Sequence, residues 1–165
     1  MSRAFVNEDD QREAPFVPPR ADLPDGVPNY VTPEGMALLI QEKEALQAEL
    51  RALTAGDVLD KQNEISVVNT RLLMLNNRIS SAQVIAHEKM SSGEVSFGSV
   101  ITIRIRGVAT VQKFRIVGVD EADLKLGKMA FTSPLARLLM HKKAGDSAVL
   151  KTAGGERVFE IMAVE

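Results

Sequence analysis

Asp57 and Asp60, three positions apart in the stretch Gly56-Asp57-Val58-Leu59-Asp60, are the residues of this chain best placed to do chemistry. Two neighbouring carboxylates at an exposed turn can hold a hard cation such as Mg²⁺ by one or two oxygens and leave water and phosphate to complete its shell. The pair has a structural reading too. Asp57 suits the N-cap of a helix, and Asp60 would project from that helix's first turn, where the positive end of the macrodipole favours carboxylates. Other metal or nucleophile chemistry has little to work with. The chain has no cysteine, which excludes disulfides and thiolate sites, and its two histidines, His87 and His141, stand far apart with no ligand-like spacing.

The two acids are held by apolar seams on either side. After them, Ile65, Val68, Leu72, Leu75, Ile79 and Ala82 recur at spacings alternating three and four, the pattern of a helix lying along another helix. Before them, Met36, Leu39, Leu46, Leu50 and Leu53 keep the same rhythm, with Lys43 at the seam position that breaks it. So few residues separate the arms that the seams can meet within one chain only if the helices fold back antiparallel. Thr32 is placed to cap the first helix, Pro33 to occupy its first position, and Val31 to staple against Met36. Gly56 is expected to end that helix in the left-handed conformation. At about 1.5 Å per residue the arm reaches roughly 33 Å, so the prediction is a finger tipped with acids.

With 165 residues, 45% of them hydrophobic, the chain has room for one ordinary core and an extension. Residues 1–31 hold five of the seven prolines and the acid run NEDDQRE, a composition that predicts a mobile Pro-rich acidic tail. The first residues have no apolar core of signal-peptide length and no apolar run suits a bilayer span, so the expectation is a soluble, cytoplasmic protein with no membrane partner. Net charge is −3 over residues 1–31, −3 over 32–88 and +4 over 89–165. A surplus of +4 without exposed aromatics is too weak to track a nucleic-acid backbone, so contact with nucleic acid is expected only through another molecule.

In the second half the rhythm changes to alternation. Val100–Ile105 and Gln112–Val117 read as antiparallel strands, and Ser147–Lys151 and Arg157–Val164 as a closing hairpin. Ser133-Pro134-Leu135-Ala136-Arg137-Leu138-Leu139 has a cap, a proline at the first helical position and an apolar stripe, which predicts one short helix packed on the sheet. The fold class is therefore α+β: residues 32–88 form an antiparallel coiled-coil finger and residues 89–165 an antiparallel sheet domain with one short helix.

Taken in order, Thr32-Pro33-Glu34-Gly35 with its leucine heptads, Gly56-Asp57-x-x-Asp60, Ser80-Ser81-Ala82-Gln83-Val84-Ile85, Phe97-Gly98-Ser99-Val100, Phe114-Arg115-Ile116-Val117-Gly118, Ser133 to Leu139, Lys143-Ala144-Gly145-Asp146 and Thr152-Ala153-Gly154-Gly155-Glu156 resemble the Gre family of bacterial transcript-cleavage factors. The resemblance runs from about Val31 to Glu165 and is densest after Ser80. It implies a C-terminal domain like the FK506-binding proteins that grips RNA polymerase at the rim of its secondary channel while the finger enters the channel. Family members with cleavage activity carry Gly-Asp-x-x-Glu-Asn-Ala-Glu-Tyr at the tip. Here Asp60 replaces the Glu and the continuation is Lys61-Gln62-Asn63-Glu64. Both arms also look about two turns shorter than the family's, which would withdraw the tip by roughly 10 Å.

Two functions follow. In the first, the chain is no enzyme itself but lends Asp57 and Asp60 to the polymerase, where they help hold a shared Mg²⁺ that activates water against backtracked RNA. In the second it occupies the channel without chemistry, modulating elongation or excluding other factors. Either way the partner is RNA polymerase, the factor acts as a monomer, and the polymerase-binding residues are expected at Ser133, Pro134, Leu135 and Arg137. A free-standing prolyl isomerase is disfavoured, because the second half has no Trp or Tyr to line a pocket.

Overall fold

The computed structural model describes residues 14–87 and 93–165. The acid run of residues 7–13 and the expected boundary near residue 88 lie outside the described residues. The chain begins with an extended segment that ends in strand β1 (Asn29–Val31). Helix α1 (Pro33–Thr54) leads to a turn and a single 3-10 turn at Leu59–Lys61, and helix α2 (Gln62–Ser81) returns. It passes directly into β2 (Ala82–Val84), which pairs in parallel with β1.

Thr32 starts α1 as its residue type demands: its Oγ1 accepts from the Gly35 amide at 2.9 Å, with Pro33 at the first helical position. The hairpin then closes on its seam. Leu39, Leu46, Val68 and Leu75 are buried between the arms, with Met36, Leu50, Leu53, Leu72 and Ile79 packed around them. Lys43, at the polar seam position, is half-buried. Gly56 does not take the left-handed conformation expected of it. Helix α1 ends a residue earlier, through Ala55, whose amide bonds the Arg51 carbonyl in ordinary right-handed geometry.

The second half is a five-stranded sheet in the order β5-β4-β3-β7-β6, built from β3 (Val100–Ile105), β4 (Val111–Val117), β5 (Lys128–Ala130), β6 (Ser147–Thr152) and β7 (Gly155–Val164). The β3–β4, β3–β7 and β6–β7 pairs are antiparallel. The sheet is not antiparallel throughout, because β5 runs parallel to β4. Only three residues long, β5 lies below the length at which alternation is legible in a sequence. Helix α3 (Pro134–Leu139) starts on Ser133, whose Oγ accepts from the Ala136 amide at 3.2 Å. Its Ala136 and Leu139 are buried with Ile101, Ile103, Ile116, Met129, Phe159 and Ile161 in one core.

The expectation of a mobile tail up to residue 31 fails for the part described. Tyr30 packs its ring against Phe97 and Phe131, with centroids 5.8 and 5.5 Å away, and the two phenylalanines meet edge to face. Asn29 donates to the Arg78 carbonyl at the end of α2, satisfying an acceptor that the helix leaves open. Gly118 lets the segment come this close, since a Cβ there would stand 2.6 Å from the Tyr30 carbonyl oxygen. Composition missed this because the segment draws its order from apolar and charged partners far away in sequence.

Charged groups tie the finger to the sheet domain. Glu121, just after β4, accepts from the Thr32 hydroxyl and lies 3.3 Å from the Lys128 ammonium. Its neighbour Asp120 sits between Arg20 and Arg78. Arg115 of β4 reaches Glu34 in the first turn of α1 at 3.3 Å. Glu121 and Asp120 have side chains only 2% and 7% exposed, and carboxylates so buried persist only when paired.

Candidate functional site: the finger tip

The turn between the arms is short because α1 runs to Thr54 and helical geometry resumes at Leu59. Asp57 is exposed and its Oδ1 accepts from the Leu59 amide at 3.1 Å. That bond closes a local turn two residues long just ahead of the 3-10 turn, whose own N-cap position is Val58. The expected role as N-cap of the returning α-helix is not realised, since α2 begins five residues later at Gln62, with Lys61 before it and no side chain closing its end. Asp60 lies within the 3-10 turn and is exposed.

The tip thus presents two carboxylates on one turn at the far end of a two-helix support. One oxygen of Asp57 is engaged by the backbone. Neither acid is buried. Among the described residues no group of three or more His, Asp or Glu side chains comes together as a metal cage. Two carboxylates suit a cation that takes the rest of its shell elsewhere, as Mg²⁺ does when it keeps waters and binds phosphate.

Two further features of the tip went unread in the sequence. Lys61 folds back toward Gly56, so that a Cβ on the glycine would lie 3.6 Å from its ammonium. Val58 and Leu59, between the two aspartates, are 42% and 73% exposed. An apolar pair inside a turn of acids was the available signal, because a solvated turn has no need of a leucine. A shallow groove runs from this point down α2, lined by Val58, Gln62, Ile65, Asn69 and Leu73.

At the other end of the molecule, the residues expected to contact a partner divide. Pro134 and Arg137 are exposed, and so is Leu138. Ser133 spends its hydroxyl on the helix cap, and Leu135 packs against the core. Of the expected set, then, Pro134 and Arg137 present their side chains most openly.

Comparison with known proteins extends these observations. Residues 90–165 match the family described as "Transcription elongation factor, GreA/GreB, C-term". The chain is 33% identical over 149 residues to transcription elongation factor GreA of Beijerinckia indica subsp. indica, covering 81% of this chain and 95% of that relative. It is 32% identical over 134 residues to transcription elongation factor GreA of Xylella fastidiosa, covering 77% of this chain and 85% of the relative. Among solved structures, GreA factor homolog 1 of Thermus thermophilus overlaps 82% of this chain and 97% of its own at 22% identity, with a TM-score of 0.40. The GreA/GreB factor of Nitrosomonas europaea does so over the same shares at 17% identity and a TM-score of 0.41. These overlaps are too loose to add to the sequence relationship. No described helix is long and apolar enough to cross a membrane. The relationship in sequence extends through finger and sheet domain alike, and this chain belongs to the GreA/GreB family of transcription elongation factors.

Proposed function

We propose that this protein is a transcription elongation factor that binds bacterial RNA polymerase in the cytoplasm as a monomer, docks through its sheet domain at the rim of the secondary channel, and inserts its finger. It performs no reaction alone and meets nucleic acid only through the polymerase. The observation that carries the reading is the tip: Asp57 and Asp60, both exposed, stand at the end of a paired-helix support in a chain related to GreA along most of its length. In this reading the two carboxylates complete the shell of a Mg²⁺ shared with the polymerase, and that ion serves a water attacking backtracked RNA. The proposed docking face centres on Pro134 and Arg137 of α3, with Ser133 and Leu135 setting the helix in place.

The test is release of short 3′ RNA fragments from stalled, backtracked elongation complexes in Mg²⁺. Asp57→Asn and Asp60→Asn are each expected to lower stimulated release by two orders of magnitude or more at nearly unchanged polymerase affinity, because an amide keeps the shape but lacks the anionic oxygen.

Finger length favours a second reading. With arms of 22 and 20 residues, the finger extends only about 30–33 Å, and the retained aspartates then sit short of the catalytic centre. The protein in that case occupies the channel without chemistry, and the wild type shows no release for the variants to lose. Adding one heptad to each arm separates reach from tip composition. Release gained by the lengthened form makes length the limit.

A further inference from the structure

Asp120 lies at the crossing of three segments remote in sequence. Arg20, in the extended segment before β1, places Nε 3.0 Å from its Oδ1. Arg78, in the last turn of α2, places Nε 3.0 Å from its Oδ2, although that N–H is not aimed well enough to count as a hydrogen bond. Arg20 also turns the other edge of its guanidinium to Glu42 on α1, meeting both carboxylate oxygens at 2.8 and 3.0 Å. The side chains of Asp120, Arg78 and Arg20 are 7%, 12% and 18% exposed. Arg78 donates further to the Ala21 carbonyl, holding the segment that carries Arg20.

We propose that Arg20, through Asp120 and Glu42, is a positioning residue that braces the finger against the sheet domain and so fixes where Asp57 and Asp60 point. The mechanical argument rests on the height of the attachments. The foot of the finger is fixed at Thr32 by Glu121, at Glu34 by Arg115 and at Arg78 by Asp120. Ties gathered at the foot resist a swing of the arm with little leverage. Glu42 lies ten residues further up, about 15 Å along the helix, and Arg20 ties that higher point back to Asp120 on the sheet domain. The guanidinium suits the task because its planar fork engages one carboxylate bidentately and still has a donor for a second, which an ammonium cannot reproduce. The lever makes this consequential. A swing of about 10° at the base moves a tip roughly 33 Å away by about 6 Å, whereas a metal site tolerates only ~0.2 Å in its ligand distances. The bearing on the tip acids rests on the function proposed above; the brace itself does not.

Because the chain has no cysteine, Asn63→Cys at the start of α2 and Glu156→Cys at the start of β7, both exposed positions, can carry nitroxide labels in the otherwise unaltered 165-residue chain. Pulsed dipolar spectroscopy reads the distance between them. The expected result is one narrow distribution with Arg20 intact, at least a doubling of its width in Arg20→Ala and Asp120→Asn, and an intermediate width in Arg20→Lys, which keeps the charge and loses the fork. Asp120→Asn leaves Arg78 without its carboxylate partner and Arg20 with Glu42 alone, and risks unfolding, whereas Arg20→Ala removes a side chain outside both apolar cores. A folded Arg20→Ala protein that melts earlier yet keeps the narrow distribution overturns the brace and makes Arg20 a stabilising residue only. RNA release tests the other half. A widened distribution with release undiminished leaves the brace standing and contradicts the role given to the tip.

Discussion

Asp120, Glu121 and Thr32 act as single residues on which larger elements turn. Thr32 caps α1 and also supplies the hydroxyl that satisfies buried Glu121. Thr32→Ala should therefore exceed the ordinary cost of a lost cap, about 1 kcal/mol, by the further ~1–3 kcal/mol of leaving a buried acceptor unpaired, and chemical denaturation measures the sum. Thr32→Ser, which keeps the hydroxyl, should recover most of it. Gly118→Ala should cost about 1–3 kcal/mol, because its new Cβ would meet the Tyr30 carbonyl oxygen at 2.6 Å, and that partner is backbone with little room to yield. Sequence reading found Thr32 as a cap, since a cap is a local device. It had no means of finding Glu121 as the hydroxyl's acceptor, a contact made across 89 positions. Asp57 was half legible: its carboxylate does bond the backbone of the turn, but at the Leu59 amide ahead of α2 and not at the start of that helix, a distinction of a few residues that propensity does not resolve.

Among the elements, the hairpin was the most legible and the extended segment the least. A seam repeating every three and four residues specifies a helix and its partner at once, and Leu75 is fully enclosed by it. Leu75→Ala should cost about 2–5 kcal/mol through lost burial and a residual cavity. Thermal unfolding will show whether the loss stays within the finger, and the ties at Thr32, Tyr30 and Arg20 lead us to expect that it spreads to the sheet domain. Residues 14–31 show the opposite case. Proline content argues correctly against a helix or a central strand there, but it says nothing about whether Tyr30 finds Phe97 or Arg20 finds Glu42. That pair also gives the segment a pH response. The Arg20 guanidinium, hydrogen-bonded to both oxygens of Glu42, holds this carboxyl below the ordinary glutamate range, with Arg71 adding to the effect. A carboxyl lowered on folding stabilises above its unfolded value and loses that contribution as pH falls through the folded one. The stability difference between wild type and Glu42→Gln should therefore persist at neutral pH and shrink as pH drops below about 4.3, as followed by urea denaturation.

The whole molecule is a two-helix arm on a sheet domain, with opposite net charge on the two parts: −3 over residues 32–88 and +4 over 89–165. Family resemblance and seam periodicity anticipated the two parts and their order, and the structure adds how they are joined, through β1–β2, the Tyr30–Phe97–Phe131 cluster and the ion pairs at Asp120 and Glu121. A joint so heavily bonded suits the proposed function, in which two small side chains are delivered to a defined place on another molecule. Delivery itself is open to direct measurement. With Asn63→Cys carrying a short photo-activated cross-linker beside the tip, the factor is bound to a bacterial elongation complex and the attached polymerase residues are mapped. The account holds that the tip attaches inside the secondary channel, and that Arg137→Glu on the proposed docking face greatly reduces the yield. Attachment confined to the outer surface of the polymerase, or none in a complex that still forms, would contradict it.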